Sequence, residues 1–373
     1  MADAFDMQGL RSPRQALEGL VPYSGKMPAG KLILAANESP FNLPEDVRDI
    51  LQVTAADFSF NRYPDPLAQD LREKIAGAHD VSADCVLLGN GGDELLLDIM
   101  LAWGGPNGAA QRKMLQFAPT FSMYQIYAHA LETEVVNLPR STEDFSIDIA
   151  AATTRLQQGD IDLCILDNPN NPSGNLTDLA DVLTLAQASD ALFVVDEAYF
   201  EFSERSMLEY LEQLPNLVIL RTFSKAFSMA GLRLGYVLAH PQVVDILTRV
   251  RMPYSVNAFT QMAATVVMDL RTKFNYNISV ITKQRDLLYA ELSNMDGVEV
   301  WPSAANYLLF RVARSADIWQ RLLDSHNIYI RNFSSAPGLE DCLRVTVGND
   351  RQNEMFVAAL RESIAALDNE EPN

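Results

Sequence analysis

The chain has 373 residues, of which 48 % are hydrophobic, and its 49 acidic and 29 basic residues give a net charge of −20. This size predicts a globular protein of about two domains. The negative charge, without any run of Lys and Arg, excludes generic nucleic-acid binding. The apolar stretches, such as residues 191–195, are far shorter than the roughly 18 residues of a membrane helix, so no membrane association is expected.

The first twelve residues, MADAFDMQGLRS, contain acids and no apolar run. We therefore expect neither a secretory signal nor a transit peptide, and a cytoplasmic location. Three widely spaced cysteines, Cys85, Cys164 and Cys342, fit reduced core thiols better than a disulfide framework. Residues 368–373 are typical of a solvated chain end.

Short apolar runs bounded by turn residues predict strands at 86–88, 114–117, 134–138, 163–166, 192–195, 217–220 and 236–239. Several of the intervening segments have helical spacing, for example Leu179, Leu183 and Ala186 after a cap at Thr177. This alternation predicts an α/β fold with a mostly parallel sheet.

The pattern changes near residue 275. A helix is predicted over 278–295, followed by strands at 298–300 and 307–312, a helix from Ser315, a strand at 343–347 and a last helix over 351–367. These elements indicate a smaller α+β domain. The opening residues up to Gly30 contain few apolar side chains, and we expect them to form an arm that lies against the small domain or a partner subunit.

A glycine-rich segment, Gly89-Asn90-Gly91-Gly92-Asp93-Glu94, joins a predicted strand to an apolar helix. Such a segment lets the backbone approach an anion and predicts a phosphate site at the helix N-terminus. The alternative is an ordinary turn with Asp93 as the helix cap. A dinucleotide site is not expected, because Glu94 stands where the third glycine of that motif would be.

Two further segments follow predicted strands, at the edge where α/β sheets bind ligands. In Asn168-Pro169-Asn170-Asn171-Pro172, the prolines fix the Asn171 amide where it could bind a ligand oxygen, although such clusters also occur as simple turns. Asp196 needs a cationic partner, which could be a side chain, a metal or a protonated ring nitrogen. The four histidines are scattered and no metal motif is present, so no metal is expected.

Lys225 lies between Phe223 and Phe227, which could desolvate it and make it a carbonyl-reactive amine. Alone, such a lysine is more often a surface residue. The nearby Thr222, Ser224 and Arg233 offer phosphate-binding groups. One ligand, pyridoxal 5′-phosphate (PLP), would satisfy all these groups with its phosphate, its aldehyde, its ring nitrogen and its phenolic oxygen.

With these motifs, the chain resembles the fold type I PLP-dependent aminotransferases and, among them, the histidinol-phosphate aminotransferases. Motifs that match this family run almost from end to end: 22–23, 36–40, 62–65, 89–94, 119–121, 170–174, 196–199, 222–225, 231–233, 306–307, 329–331 and 343–348. The resemblance implies a large domain with a mostly parallel seven-stranded sheet flanked by helices, over residues 37–274. It also implies an arm at 1–36, partly in the small domain, and a C-terminal small α+β domain at 275–373.

The resemblance also implies the role of each site residue. The catalytic residues would be Lys225, which holds the cofactor covalently and moves protons, Asp196, which keeps the ring nitrogen protonated, and Tyr199. Asn171 and Tyr199 would contact the ring oxygen of the cofactor, and Phe121 would contact its ring face. Its phosphate would contact Gly92, Asp93, Thr222, Ser224 and Arg233 of the same subunit. Tyr63 would reach the same phosphate from a neighbouring subunit. The substrate would contact Tyr23, Asn306, Arg331 and Arg344.

The implied assembly is a homodimer with shared active sites, and the implied reaction moves the amino group of L-histidinol phosphate to 2-oxoglutarate in histidine biosynthesis. Departures from the family are Ser39 in place of Asn and Phe121 in place of Tyr. Two other activities stay open as alternatives: an aromatic amino-acid aminotransferase and a threonine-phosphate decarboxylase. For Arg331, the alternative to substrate binding is a surface ion pair with Glu340 or Asp341. A PLP-domain regulator is disfavoured because the chain has no basic DNA-binding module.

Overall fold

The computed structural model describes residues 14–17, 20 and 28–368. In this part of the chain the α-helices are α1 (Glu45–Ala56), α2 (Gln69–His79), α3 (Gly92–Trp103), α4 (Met123–Ala130), α5 (Ile149–Leu156), α6 (Leu179–Gln187), α7 (Phe200–Ser203), α8 (Pro241–Val250), α9 (Ala258–Asp269), α10 (Asn275–Ser293), α11 (Ser315–Asp324) and α12 (Asp350–Asp368). The strands are β1 (Leu32–Leu34), β2 (Val86–Gly89), β3 (Pro106–Asn107), β4 (Ala110–Gln111), β5 (Lys113–Ala118), β6 (Glu134–Pro139), β7 (Leu163–Asp167), β8 (Leu192–Asp196), β9 (Leu217–Thr222), β10 (Gly235–Ala239), β11 (Val298–Val300), β12 (Tyr307–Val312), β13 (Ile328–Asn332) and β14 (Cys342–Thr346).

A seven-stranded sheet with the order β2-β10-β9-β8-β7-β5-β6 forms the centre of the fold. Its strands pair in parallel except β10, which is antiparallel to both of its neighbours. The predicted mostly parallel sheet is confirmed, and the seven strands predicted from the sequence lie within it.

Apolar side chains cover both faces of this sheet. In β7, Leu163 and Ile165 belong to one buried cluster, whereas Cys164 and Leu166 belong to the cluster on the other face. A strand that is buried on both sides has a continuous apolar sequence, which is why these strands could be recognised. Because β7, β8 and β9 pair in parallel, the polar residues at their carboxyl ends meet at one edge of the sheet.

A second, five-stranded sheet has the order β1-β13-β14-β12-β11. Strand β1 pairs in parallel with β13, and the other pairs are antiparallel. Strands β1 and β13 were not among the predicted strands. The domain limits stay a prediction, and β1 shows that a segment before residue 37 belongs to the smaller sheet.

Two helix starts differ from the sequence predictions. Helix α6 has Asp178 at its N-cap position, not Thr177. The backbone N–H and C=O groups of Thr177 instead bond to the side chain of Asn168, at 2.9 and 3.0 Å. Helix α3 follows an N-cap at Gly91, so the alternative in which Asp93 caps the helix is wrong.

A buried ion pair joins the ends of β8 and β9. Arg221 Nη2 lies 2.8 Å from Glu197 Oε2, and each side chain is 1 % exposed. Ser206 Oγ accepts a hydrogen bond from Arg221 Nη2 at 2.7 Å, and Met207 N donates to Glu197 Oε1 at 2.7 Å. Both charges are therefore fully bonded inside the domain, which is the condition under which such a pair is tolerated.

We expect Arg221→Met to destabilise the protein by about 3–5 kcal/mol, because it leaves the Glu197 carboxylate buried without its partner. Adding Glu197→Gln should recover much of this loss, since the amide still accepts the Met207 N–H and carries no charge. Urea unfolding followed by circular dichroism measures both effects. A double variant as unstable as the single one would contradict this assignment.

Candidate active site

A cavity of about 430 Å³ lies at the carboxyl ends of β7, β8 and β9 and is lined from both sheets. Twelve of the residues singled out from the sequence line it: Gly92, Asp93, Phe121, Asn171, Asp196, Tyr199, Thr222, Ser224, Lys225, Arg233, Arg331 and Arg344. The structure thus brings together groups that are up to 252 positions apart in the chain, from Gly92 to Arg344.

One end of the cavity contains groups that could hold an anion. Gly91 has φ +85°, and a Cβ atom there would lie 2.6 Å from Arg233 Nη2. A Cβ at Gly235 would lie 2.7 Å from the backbone nitrogen of Gly92. The glycines therefore let strand β10, the Arg233 guanidinium and the α3 N-terminus come together, where free N–H groups and the helix dipole favour negative charge.

Hydroxyl groups complete this end. Thr222 Oγ1 and Ser224 Oγ are 3.0 Å apart, and both residues are buried. Arg233 Nη2 bonds to Asp93 Oδ2 at 3.0 Å. Backbone N–H groups, two hydroxyls and a guanidinium form the donor set that a phosphate group needs.

Lys225 supplies an amine in the middle of the cavity. Its Nζ donates a hydrogen bond to the carbonyl oxygen of Ala36 at 2.9 Å. Desolvation lowers the pKa of Lys225 to about 8, and the positive charges of Arg344 and Arg233 add to this effect. A substantial fraction of this amine is therefore neutral and nucleophilic in mildly alkaline solution.

Asp196 supplies a buried carboxylate. Its Oδ2 accepts from Tyr124 Oη at 2.7 Å and its Oδ1 accepts from the Ala198 N–H at 3.0 Å. Burial raises the pKa of Asp196 to about 7 despite these bonds. A cation brought next to this carboxylate would therefore be strongly favoured.

Asn171 and Tyr199 are each oriented by a second side chain. The Asn171 Oδ1 accepts from the Arg344 guanidinium, which leaves the amide nitrogen as a donor. Tyr199 Oη accepts from Asn37 Nδ2 at 2.8 Å. Both groups line the cavity in fixed orientations, as required for binding one ligand oxygen.

Arg331 and Arg344 stand directly opposite each other in the β13–β14 pair. Like charges in such a cross-strand pair repel, so an anion between them would stabilise the arrangement. The alternative pairing of Arg331 is not observed: the carboxylates of Glu340 and Asp341 bond instead to the Gly338 N–H and to Ser315 Oγ, at 3.1 and 2.9 Å.

Two of the singled-out residues that the structure describes, Tyr63 and Asn306, do not line this cavity. Tyr63 is 83 % exposed and stacks on Tyr254 with ring centroids 4.7 Å apart. Asn306 is fully buried, and its Nδ2 donates to the Asn37 carbonyl oxygen at 3.0 Å. Tyr23 lies outside the described residues.

Sequence reasoning missed several residues that act on the site through other side chains. Tyr124 holds Asp196, and Asn37 holds Tyr199. Asp167 accepts from the Asn171 backbone N–H at 2.7 Å and is 3.4 Å from Arg140. Asn37 has a sequence signal, because it lies in the motif at 36–40, and the structure shows it at φ 55°, which asparagine adopts more readily than most residues. The others have no signal besides their contacts.

Within residues 14–17, 20 and 28–368, no cluster of three or more His, Cys, Asp or Glu side chains could hold a metal ion. In the same residues, no helix combines the length and the apolarity needed to cross a membrane.

This α/β architecture, with an amine, a buried acid and an anion cradle at the strand ends, has a site suited to group transfer. The chain belongs to the aminotransferase class I and II family, whose family model matches residues 29–360. Among its relatives is the histidinol-phosphate aminotransferase of Caldanaerobacter subterraneus, which is 35 % identical over 94 % of this chain and 98 % of the relative. The aminotransferase family predicted from the motifs is confirmed.

Solved structures share the fold. The histidinol-phosphate aminotransferase of Sinorhizobium meliloti, solved in complex with pyridoxal-5′-phosphate, is 25 % identical, with a TM-score of 0.85 over 96 % of this chain and all of that one. The L-threonine-O-3-phosphate decarboxylase of Porphyromonas gingivalis is 26 % identical, with a TM-score of 0.78 over 90 % of this chain and 99 % of that one.

We expect Lys225 to be acylated far more readily than other lysines in the ligand-free protein. Its labelling by acetic anhydride should reach half its maximum near pH 8, since the amine loses its proton as the pH rises through its lowered pKa. Lys113 is the matched control, because its hydrogen bond to Asp160 raises its pKa. Mass spectrometry of the labelled peptides distinguishes them; equal profiles would refute a desolvated Lys225.

Proposed function

We propose that the protein is a PLP-dependent histidinol-phosphate aminotransferase, which moves the amino group of L-histidinol phosphate to 2-oxoglutarate and yields imidazole-acetol phosphate and glutamate. The observation that carries the proposal is the content of one cavity: an anion cradle, the Lys225 amine, the Asp196 carboxylate and a second anion site at Arg331 and Arg344. The relatives with this name, similar over nearly the whole chain, support it.

The residues present fit PLP. The glycine cradle beside Arg233, with Thr222 and Ser224, would hold its phosphate, and Asp196 would hold its ring nitrogen. Asn171 and Tyr199 would bind its ring oxygen, and Phe121 would lie on its ring. When bound, PLP supplies a carbonyl group that accepts the amino group and a ring that withdraws electrons from the reacting carbon.

Lys225 and Asp196 would have different roles in the reaction. Lys225 would bind the cofactor through Nζ. As a free amine, the same Nζ would accept the proton from the substrate carbon and return it to the cofactor carbon. The lowered pKa of about 8 suits both directions of this transfer near neutral pH. Asp196 would hold a proton at the ring nitrogen, because a buried carboxylate is stabilised by a cation placed next to it.

Arg331 and Arg344 would bind the substrate anion. Guanidinium groups bind both phosphate and carboxylate through paired hydrogen bonds, so one site would serve the donor's phosphate and the carboxylate of 2-oxoglutarate in turn. The net charge of −20 repels both anions at long range. Affinity must therefore come from contacts within a screening length of roughly 8–10 Å.

We expect wild-type enzyme to prefer L-histidinol phosphate strongly over L-histidinol, because a donor without phosphate would place no anion between the like-charged Arg331 and Arg344 side chains, which stand opposite each other. Arg331→Ala should lower kcat/KM for the phosphorylated donor by on the order of 10–100-fold and change that for L-histidinol much less. Steady-state assays with both donors and 2-oxoglutarate measure this.

The matched control is Arg311→Ala, on strand β12, whose guanidinium bonds to Glu299 at the surface. It should leave the donor preference unchanged. Equal kcat/KM for the two donors, or a preference for phenylalanine or tyrosine, would favour an aromatic amino-acid aminotransferase. Release of carbon dioxide from threonine phosphate would favour the decarboxylase alternative. Either result leaves the family assignment intact.

The proposed active unit is a homodimer in which Tyr63 reaches the cofactor phosphate of the neighbouring subunit. In support, Phe60, Tyr63 and Met252 are 77, 83 and 68 % exposed, and Tyr254 stacks on Tyr63. Exposed large apolar side chains that pack on one another, as Tyr63 and Tyr254 do, are typical of a surface that another chain covers. We also propose a cytoplasmic location, which the free thiols of Cys85, Cys164 and Cys342 support.

Mixing two variants tests the shared site. Tyr63→Ala and Lys225→Ala each damage a different part of it, and a heterodimer would contain one intact site. After unfolding and refolding together in equal amounts, activity should rise toward about a quarter of the wild-type value, as random pairing of subunits dictates. Lys225→Ala mixed with Asp196→Asn is the control, because both lesions lie in one subunit's site. A fully active monomer would end the proposal.

A further inference from the structure

Tyr124 lies in the first turn of α4 and is completely buried. Its ring packs edge-on against Phe121, with ring centroids 5.5 Å apart, and its hydroxyl donates to Asp196 Oδ2 at 2.7 Å. One short segment thus contains the ring that would lie on the cofactor and the hydroxyl that holds the acid.

The charged groups that face Asp196 are mostly acids. Asp167 is directly opposite in the neighbouring strand β7, and Asp93 approaches from α3. Both acids raise the pKa of Asp196, as burial does. Arg140 compensates Asp167, from which it lies 3.4 Å away. The groups that favour the anionic form of Asp196 are Tyr124 and the Ala198 N–H.

Tyr124 itself keeps its proton. Burial and the neighbouring carboxylates raise the pKa of Tyr124 well above its ordinary value, so the phenol acts as a neutral donor. A neutral donor makes the carboxylate a weaker base without cancelling its charge. An arginine or lysine at the same place would cancel that charge and remove the attraction for a protonated ring nitrogen.

We propose that Tyr124 is a positioning residue for Asp196, whose hydroxyl keeps the carboxylate anionic and thereby leaves the proton on the cofactor ring nitrogen. This inference rests on the proposed cofactor site and not on the identity of the donor substrate. Without the phenol, the carboxylate becomes a stronger base, and the proton shared with the ring nitrogen shifts to the carboxyl group. The ring would then withdraw electrons less effectively.

Tyr124→Phe removes one hydroxyl and keeps the ring that packs on Phe121. In holoenzyme with ¹⁵N-labelled PLP, we expect the ring-nitrogen NMR signal to move toward the position of unprotonated pyridine. We also expect a shift in the pH titration of the visible absorption of the bound cofactor. The pH at which this absorption has changed by half should rise by roughly one unit, which is the size expected for the loss of a hydrogen bond to a charged group. Cofactor retention should persist, because the phosphate cradle is unchanged.

Two controls separate this role from simple filling of space. Tyr236→Phe deletes another buried phenol, which lies 2.9 Å from His79 Nε2, and should move neither signal. In an Asp196→Asn background, Tyr124→Phe should add no further shift, since the group it acts on is gone. If Tyr124→Phe lowers stability and activity but moves neither the nitrogen signal nor the midpoint, the proposal is overturned.

A second substitution strengthens the hydrogen bond to Asp196 and does not weaken it, so the test does not depend on whether Tyr124→Phe folds. Replacement of Tyr124 by 2,3-difluorotyrosine gives a more acidic phenol of nearly the same shape. It should lower the absorption midpoint, and a midpoint that stays or rises would overturn the proposal. All these readouts use the holoenzyme without substrate, so failure to turn over histidinol phosphate would refute the proposed substrate and leave this inference standing.

Discussion

The ion pair between Arg221 and Glu197 fixes the ends of β8 and β9 against each other, and the site depends on that spacing. Glu197 follows Asp196 directly, and Arg221 directly precedes Thr222. The pair therefore joins the backbone that carries the buried acid to the backbone that carries the anion cradle. Because a buried charge separated from its partner costs several kcal/mol, displacement of one strand against the other is strongly opposed.

The cationic side chains of the cavity lie in a protein whose net charge is strongly negative. Lys225, Arg233, Arg331 and Arg344 line a pocket in a chain of net charge −20. The register that sets Arg331 opposite Arg344 opposes the general preference of β-pairs for unlike charges. An arrangement that is unfavourable for folding is expected at a site whose residues serve to bind a ligand.

The sequence revealed those parts of the fold and site that leave a local pattern. Strands β7, β8 and β9 are apolar on both faces, and the residues just beyond them were chosen because ligands bind at that edge. Strands β1 and β13 were missed because one has three residues and both are defined by pairing distant in sequence. Thr177 resembles a cap, but Asn168 bonds its backbone instead. Tyr124 could not be found, because only its contact with Asp196 distinguishes it from a core tyrosine.

Residues 35–37 connect the two sheets through the site itself. The carbonyl oxygens of Ala35 and Ala36 accept from Arg344 Nη2 at 3.0 Å and from Lys225 Nζ at 2.9 Å. The Asn37 N–H donates to Thr346 Oγ1 at 2.9 Å, while its side chain holds Tyr199. The amine that would react and the arginine that would bind the substrate therefore share one short segment next to β1. If Lys225 left the Ala36 carbonyl to bind a ligand, one of these bonds would be lost, so the proposed chemistry at the amine would be coupled to the contact between the two sheets.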